Sequence, residues 1–152
     1  MPSYFFDTSA LVKLYHNEEG SERVEELFNE RDSTVLISEL GAVEIHSALA
    51  RKVTTKEINE EQMNDALQSF YGDYVDGRIE VVAMDYAHYT DAVLLILKYS
   101  TQSRLRTLDA IQLAVSMRLH QRRALTLFVC ADQVLCDVAG MAGLQVINPA
   151  VS

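Results

Sequence analysis

The stretch Ser3–Leu14, read as SYFFDTSALVKL, constrains this chain more than any other. Tyr4, Phe5 and Phe6 favour extended backbone, Asp7 interrupts the run, and Ala10, Leu11 and Leu14 then recur at helical spacing. A short apolar strand that ends on a carboxylate and turns directly into a helix belongs at the centre of a parallel sheet. Ligands of such sheets bind outside the carboxyl ends of the strands, so Asp7 stands where chemistry is expected.

A chain of 152 residues that is 49% hydrophobic suffices for one well-buried domain and is short for two, so a single domain over 1–152 is expected. The first strand follows the N-terminus without the basic region and apolar core of a signal peptide, and apolar runs such as Ala92–Leu97 fall far short of a bilayer span. No membrane association and a cytoplasmic location are the expectation. Cys130 and Cys136 form neither a CxxC motif nor a disulfide framework, which fits reduced thiols. A net charge of -9 argues against holding nucleic acid through a broad basic surface. It leaves a nucleic-acid enzyme open, because an acidic cluster carrying a cation presents positive charge to a phosphate.

Along the chain, Asn17 and Gly20 are expected to close the first helix, and Ser21–Arg31 to form a second with Val24, Leu27 and Phe28 inward. Thr34–Ile37 reads as a strand, Ser38 as an N-cap, and Glu39–Arg51 as a helix in which Gly41 and Ala48 permit close approach. Thr55–Tyr74 reads as a long amphipathic helix starting at Thr55. Strand Ile79–Ala83 precedes helix Tyr86–Tyr99, whose apolar face is read through Ala87, Val93, Leu94 and Leu97. Helix Thr107–His120, strand Leu125–Cys130, helix Gln133–Ala139 and strand Leu144–Ile147 complete the series. Helices alternating with short apolar strands predict an α/β fold, a three-layer α/β/α sandwich around a central parallel sheet.

Four acids occupy unusual places. Asp7 at a strand-to-helix turn reads equally as an N-cap. Asp109, in the first turn of its helix, suits the macrodipole, and Asp132 after the Leu125–Cys130 strand suits a cap. Glu44 sits mid-helix between Val43 and Ile45, with Gly41, Ser47 and Ala48 as helical neighbours. Its plain reading is a solvated glutamate, paired with Arg51. Its sharper reading is a carboxylate that reaches through a gap of small residues to the sheet edge of Asp7. Carboxylates crowded together must protonate or hold a cation, and oxygen ligands suit Mg²⁺ or Mn²⁺.

These stretches, FFDTSALVK with Asp7, SELGAVEIHSAL with Glu44, RTLDAIQLA with Asp109 and FVCADQVLCDVAGMAGLQVINP with Asp132, resemble the PIN domain, most closely the VapC-type toxins of bacterial toxin-antitoxin pairs. The resemblance spans the chain from end to end. It implies a PIN-like sandwich and an endoribonuclease that hydrolyses RNA phosphodiester bonds to a 5′-phosphate and a 3′-hydroxyl. Asp7, Glu44, Asp109 and Asp132 would hold Mg²⁺ or Mn²⁺ in a common pocket, with Asp132 at its rim, and Thr8 and Ser9 would contact substrate or metal water. A homodimer and a cognate VapB-like antitoxin, whose Arg or Lys enters the acids, are the implied partners, with Leu11, Leu14, Tyr15, Leu27 and Phe28 as the groove for its tail. One position departs from the family pattern: Cys130 stands two residues before the last acid, where a hydroxyl is common.

Two other readings compete. A receiver-like signalling domain also gathers acids at the carboxyl edge of a parallel sheet, but it expects an adjacent acidic pair after the first strand and a late lysine; Asp7 follows Phe5 and Phe6, and no lysine follows Lys98. A catalytically inactive PIN-like module that binds RNA or protein stays open. The four histidines, His16, His46, His88 and His120, lack zinc-ligand spacing. The basic clusters Arg51–Lys56, Lys98–Arg106 and Arg118–Arg123 read first as solvated helix faces and second as guides for RNA.

Overall fold

The computed structural model describes residues 1–151. The elements are β1 (Ser3–Phe6), α1 (Thr8–Leu11) continued by a 3-10 turn (Val12–Leu14), α2 (Ser21–Phe28), β2 (Thr34–Ser38), α3 (Glu39–Thr54), α4 (Glu60–Val75), β3 (Ile79–Val82), α5 (Tyr86–Tyr99), α6 (Thr107–Gln121), β4 (Leu127–Val129), α7 (Gln133–Met141) and β5 (Val146–Ile147). All neighbouring strands are parallel, in the order β3-β2-β1-β4-β5. The expected α/β/α sandwich is therefore present, with β1 at the centre of the sheet.

Strand periodicity divides the core in two. Tyr4, Phe6, Val35, Ile37, Ile79 and Val129 point to one face, under α1 to α4. Phe5, Leu36, Phe128 and Cys130 point to the other, under α5, α6 and α7. Phe5 and Phe128 stack across β1 and β4 with ring centroids 5.8 Å apart. Each fully buried phenylalanine contributes about 1.5–3 kcal/mol of hydrophobic stabilisation, which makes the central strands the rigid base of the molecule.

Local chemistry sets the element ends. Ser38 caps α3 by accepting the Gly41 N–H at 2.9 Å. Gly20 precedes α2 rather than closing the first helix. Its φ is +90°, and a Cβ there would lie 2.9 Å from the Pro149 carbonyl carbon, so no side chain fits. Thr55 ends α3 instead of starting the next helix, which begins after Asn59 in a reciprocal capping box with Gln62. The apolar face of α5 also differs from expectation. His88 and Ala92 are the buried residues, while Val93, Leu94 and Leu97 stand in solvent with Tyr86 and Tyr89.

The strand order reverses direction at β1. The chain leaves β1 toward β2 on one side and returns to β4 on the other, which opens a crevice at their carboxyl ends. Asp7 follows β1 there, and Asp132 lies just beyond β4.

Candidate active site

Asp7 continues the ladder of β1 through its N–H to the Val129 carbonyl, then turns its side chain back as the N-cap of α1, accepting the Ala10 N–H at 3.2 Å. The Ser9 hydroxyl donates to the same carboxylate oxygen at 2.5 Å and accepts the Ala131 N–H at 2.8 Å, which ties the β1 and β4 ends together. Only 5% of Asp7 is exposed. Burial pushes its pKa up to about 7, the Ser9 hydroxyl and Ala10 amide oppose the rise, and the charges of Asp109 and Glu44 add to it.

Glu44 projects from α3 toward α1 and α6. Its Oε1 accepts the Thr8 hydroxyl at 2.9 Å and the Gln112 side-chain amide at 2.9 Å. Gln112 also donates to Thr8 Oγ1 at 3.2 Å, and its oxygen accepts the Ser38 hydroxyl at 2.7 Å. Asp109 lies in the first turn of α6, and Asp132 caps α7 by accepting the Leu135 N–H at 3.2 Å. Arg106 spans these two acids, with Nε 3.2 Å from Asp109 and NH2 3.4 Å from Asp132. The hydrogen bond that Arg106 donates to Asp109, reinforced by the charges of Asp109, Asp132 and Glu44, holds the guanidinium more firmly protonated than usual.

Asp7, Glu44, Asp109 and Asp132 thus line one cavity of about 430 Å³, together with Thr8, Ser9, Gln112, Arg106 and Arg51. Cys130 takes no part in it. Its thiol turns into the core under α6 and α7 and donates to the Asp132 carbonyl at 3.3 Å, while the Cys136 thiol and then burial push its pKa far up. The hydroxyl at this edge comes from Ser9 instead.

Among the described residues, no three carboxylate, imidazole or thiol side chains are gathered closely enough to form a ready-made metal site. Glu44 Oε1 is engaged by Thr8 and Gln112, and Asp109 and Asp132 by Arg106. The donor chemistry nevertheless fits a hard divalent cation. The cavity is lined by four carboxylates and three hydroxyls with no histidine or cysteine, and its most buried acid bears a pKa raised partly by its neighbours' charge.

Residues 4–141 match the profile of the PIN domain family. The chain belongs to the PIN domain family. No curated protein matches the sequence itself at a significant level. Among solved structures, the fold is similar to VapC20 of Mycobacterium tuberculosis, a sarcin-ricin-loop-cleaving toxin, with TM-score 0.68, 14% identity, and coverage of 95% of this chain and 97% of that one. It is similar to FitAcB of Neisseria gonorrhoeae, with TM-score 0.66, 14% identity, and coverage of 98% and 99%. It also resembles VapBC2 of Rickettsia felis, a complex bound to a DNA fragment from its promoter, with TM-score 0.64, 14% identity, and coverage of 95% and 97%.

Of the site residues, sequence reasoning passes over Gln112, and reads Ser38 only as an N-cap and Arg106 only as part of a basic cluster. Gln112 carried a usable signal: like Glu44, it is a polar residue set into the apolar face Ala110, Leu113, Ala114 of its helix. Among the described residues, no helix is long and apolar enough to cross a membrane.

Proposed function

We propose that this PIN domain is a metal-dependent endoribonuclease and the toxin half of a VapBC-type pair. The observation that carries the reading is the convergence of Asp7, Glu44, Asp109 and Asp132 on one cavity at the switch point of a PIN sheet. Those four carboxylates would hold Mg²⁺ or Mn²⁺. When bound, the cation supplies positive charge to the phosphodiester oxygens and a hydroxide-like nucleophile from water near neutral pH. The chain's own groups do the rest. Asp7, whose burial holds its pKa near 7, would serve as a ligand in its ionised form. Thr8 holds Glu44 in place with its hydroxyl. Arg106, exposed and resting on Asp109 and Asp132, is free to turn its fork of donors onto a phosphate.

Arg51 lies two helical turns beyond Glu44 on α3 and lines both the acid cavity and an adjoining one bordered by Lys13 and Lys52 with their partners Glu18 and Glu57. No ion pair among the described residues engages it. It is the natural contact for a neighbouring RNA phosphate. Leu14, Tyr15 and Phe28 line a separate cleft of about 700 Å³ between α2 and α4, edged by Glu25, Glu57, Asp65 and Asp73. That acidic rim suits a basic antitoxin tail. Leu11 and Leu27, expected in the same groove, are instead buried in the core, because the face they share packs on the sheet. The exposed stripe Tyr86, Tyr89, Val93 and Leu97 on α5 is the face we assign to the homodimer.

Incubation of the purified protein with a mixed RNA pool tests the nuclease. Cleavage with Mn²⁺ that stops with EDTA is the expected result, and intact RNA under both conditions would leave the binding-module reading in its place.

A further inference from the structure

We propose that Gln112 is a positioning residue that aims the carboxylate of Glu44 into the cavity, with Ser38 fixing the direction of its amide. The proposal deepens the nuclease reading and rests on it for its consequence in catalysis. Gln112 lies in the middle of α6, only 2% exposed, and reaches from one helical layer past the sheet edge to α1 and α3 on the other.

The direction of its amide follows from donor and acceptor counting. The Glu44 carboxylate only accepts, so the amide oxygen of Gln112 is turned away from it toward Ser38, whose hydroxyl accepts the Gly41 N–H as the cap of α3 and donates its hydrogen to that oxygen. The NH₂ group must then face the opposite way, where its two hydrogens meet Glu44 Oε1 and Thr8 Oγ1. Thr8, having accepted from Gln112, passes its own hydrogen to the same Glu44 oxygen. One oxygen of Glu44 is thereby held by two donors, and the other accepts no hydrogen bond among the described residues. Gly41 borders the arrangement: a Cβ there would lie in ordinary van der Waals contact, 3.5 Å from Gln112 Nε2 and 3.6 Å from Ser38 Oγ. The cap of α3 and the carboxylate two turns further on are thus coupled through a side chain of another helix.

A leucine at 112 would fill nearly the same space yet strand both the Ser38 hydroxyl and Glu44. Partners that orient a metal ligand typically set affinity or activity by 10–100-fold. The test compares wild type, Gln112→Leu, Ser38→Ala and the double variant, each checked for folding by its melting curve in EDTA. Gln112→Leu is expected to weaken Mn²⁺ binding, followed by calorimetry, about 10–100-fold, and to lower kcat on a short RNA while leaving KM unchanged. Ser38→Ala is expected to lose several-fold in the wild-type background and nothing further in Gln112→Leu. In the metal-free wild type, the Gln112 side-chain NH₂ resonances should exchange slowly and shift on Glu44→Gln. Mn²⁺ affinity within twofold of wild type in a folded Gln112→Leu, or additive losses from the two sites, would overturn the proposal. Should Gln112→Leu fail to fold, Ser38→Ala and the NH₂ resonances decide alone. A wild type that neither binds Mn²⁺ nor cleaves RNA would overturn the nuclease reading instead, and the response of the NH₂ resonances to Glu44→Gln would still decide whether Gln112 holds Glu44.

Discussion

The cleft between α2 and α4 encloses about 700 Å³ and the acid cavity about 430 Å³, yet the smaller one gathers Asp7, Glu44, Asp109 and Asp132. In the cleft, charges find ordinary partners near solvent. Tyr15 donates to Asp73 at 2.8 Å, and Arg78 pairs with Asp73 at 3.2 Å while lying 4.0 Å over the Phe28 ring. In the cavity, a buried carboxylate sits beside two others, and burial, the largest influence, holds its pKa up at about 7 against the hydrogen bonds from Ser9 and Ala10. Volume measures what a surface can accommodate, whereas unrelieved burial of charge marks where the fold bears a cost that a ligand can relieve.

The sharpest way to break this contrast is to remove one charge from each place. Asp7→Asn keeps the cap and the Ser9 contact, and is expected to lower RNA cleavage more than about 100-fold, beyond what loss of an orienting partner costs. Asp65→Arg in the cleft is expected to leave cleavage within twofold of wild type. Equal losses from both, measured on the same RNA, would dissolve the distinction.

Stability against pH sharpens it next. The folded pKa of Asp7 lies near 7, above its ordinary value of 3.8, so the proton is bound more tightly in the native state. Its contribution to stability is therefore complete below the ordinary value and is lost as pH rises through 7. Between pH 5 and 8 the loss is on the order of 2–3 kcal/mol at ~1.4 kcal/mol per unit. Metal-free wild type should thus fall toward, and at pH 8 below, Asp7→Asn, by several degrees in melting temperature. Mn²⁺ should raise wild type at pH 8 and move Asp7→Asn much less. Parallel pH profiles of the two proteins in EDTA would reduce Asp7 to a cap.

The same contrast explains what the sequence made legible. Asp7 was visible because a carboxylate directly after an apolar strand has few places to go, and Glu44 because a charge among Gly41, Ser47 and Ala48 must face a gap. The alternation of Tyr4, Phe5 and Phe6 across two core layers follows from strand geometry alone. Gln112 was hidden because an uncharged amide raises no alarm in an apolar helix, although its burial requires every hydrogen bond to be met. Helix periodicity misled at α5, where the apolar stripe Val93, Leu94 and Leu97 faces outward and His88 is enclosed by its capping role. Nor did spacing reveal Arg106, whose reach to Asp132 crosses 26 residues of chain.

The cleft has its own, smaller expected effect. If its acidic rim receives a basic antitoxin tail, Asp65→Arg should weaken the complex about tenfold, the scale of one close charge pair, mainly through faster dissociation at moderate salt. Asp7→Asn should change that affinity less than Asp65→Arg if the cleft is the main anchor. The reverse order, read by surface plasmon resonance with the cognate antitoxin, would make the acid cavity the anchor.

The smallest expected effect concerns Arg51, at the border of the acid cavity and the one beside it. A contact with one phosphate of single-stranded RNA releases condensed counterions and adds about 0.7 to the slope of log affinity against log salt. Binding of a short labelled RNA to Asp7→Asn, which does not turn it over, isolates this contribution between about 50 and 200 mM potassium chloride. Arg51→Gln in that background should make the slope shallower by about 0.7 and weaken binding modestly at low salt. Arg78→Gln, which empties the cleft of its cation, should leave the slope unchanged, since Arg78 lines the cleft and not the acid cavity. Identical slopes for Arg51→Gln and its parent would place the RNA backbone elsewhere, and a shallower slope for Arg78→Gln would carry the substrate across the cleft.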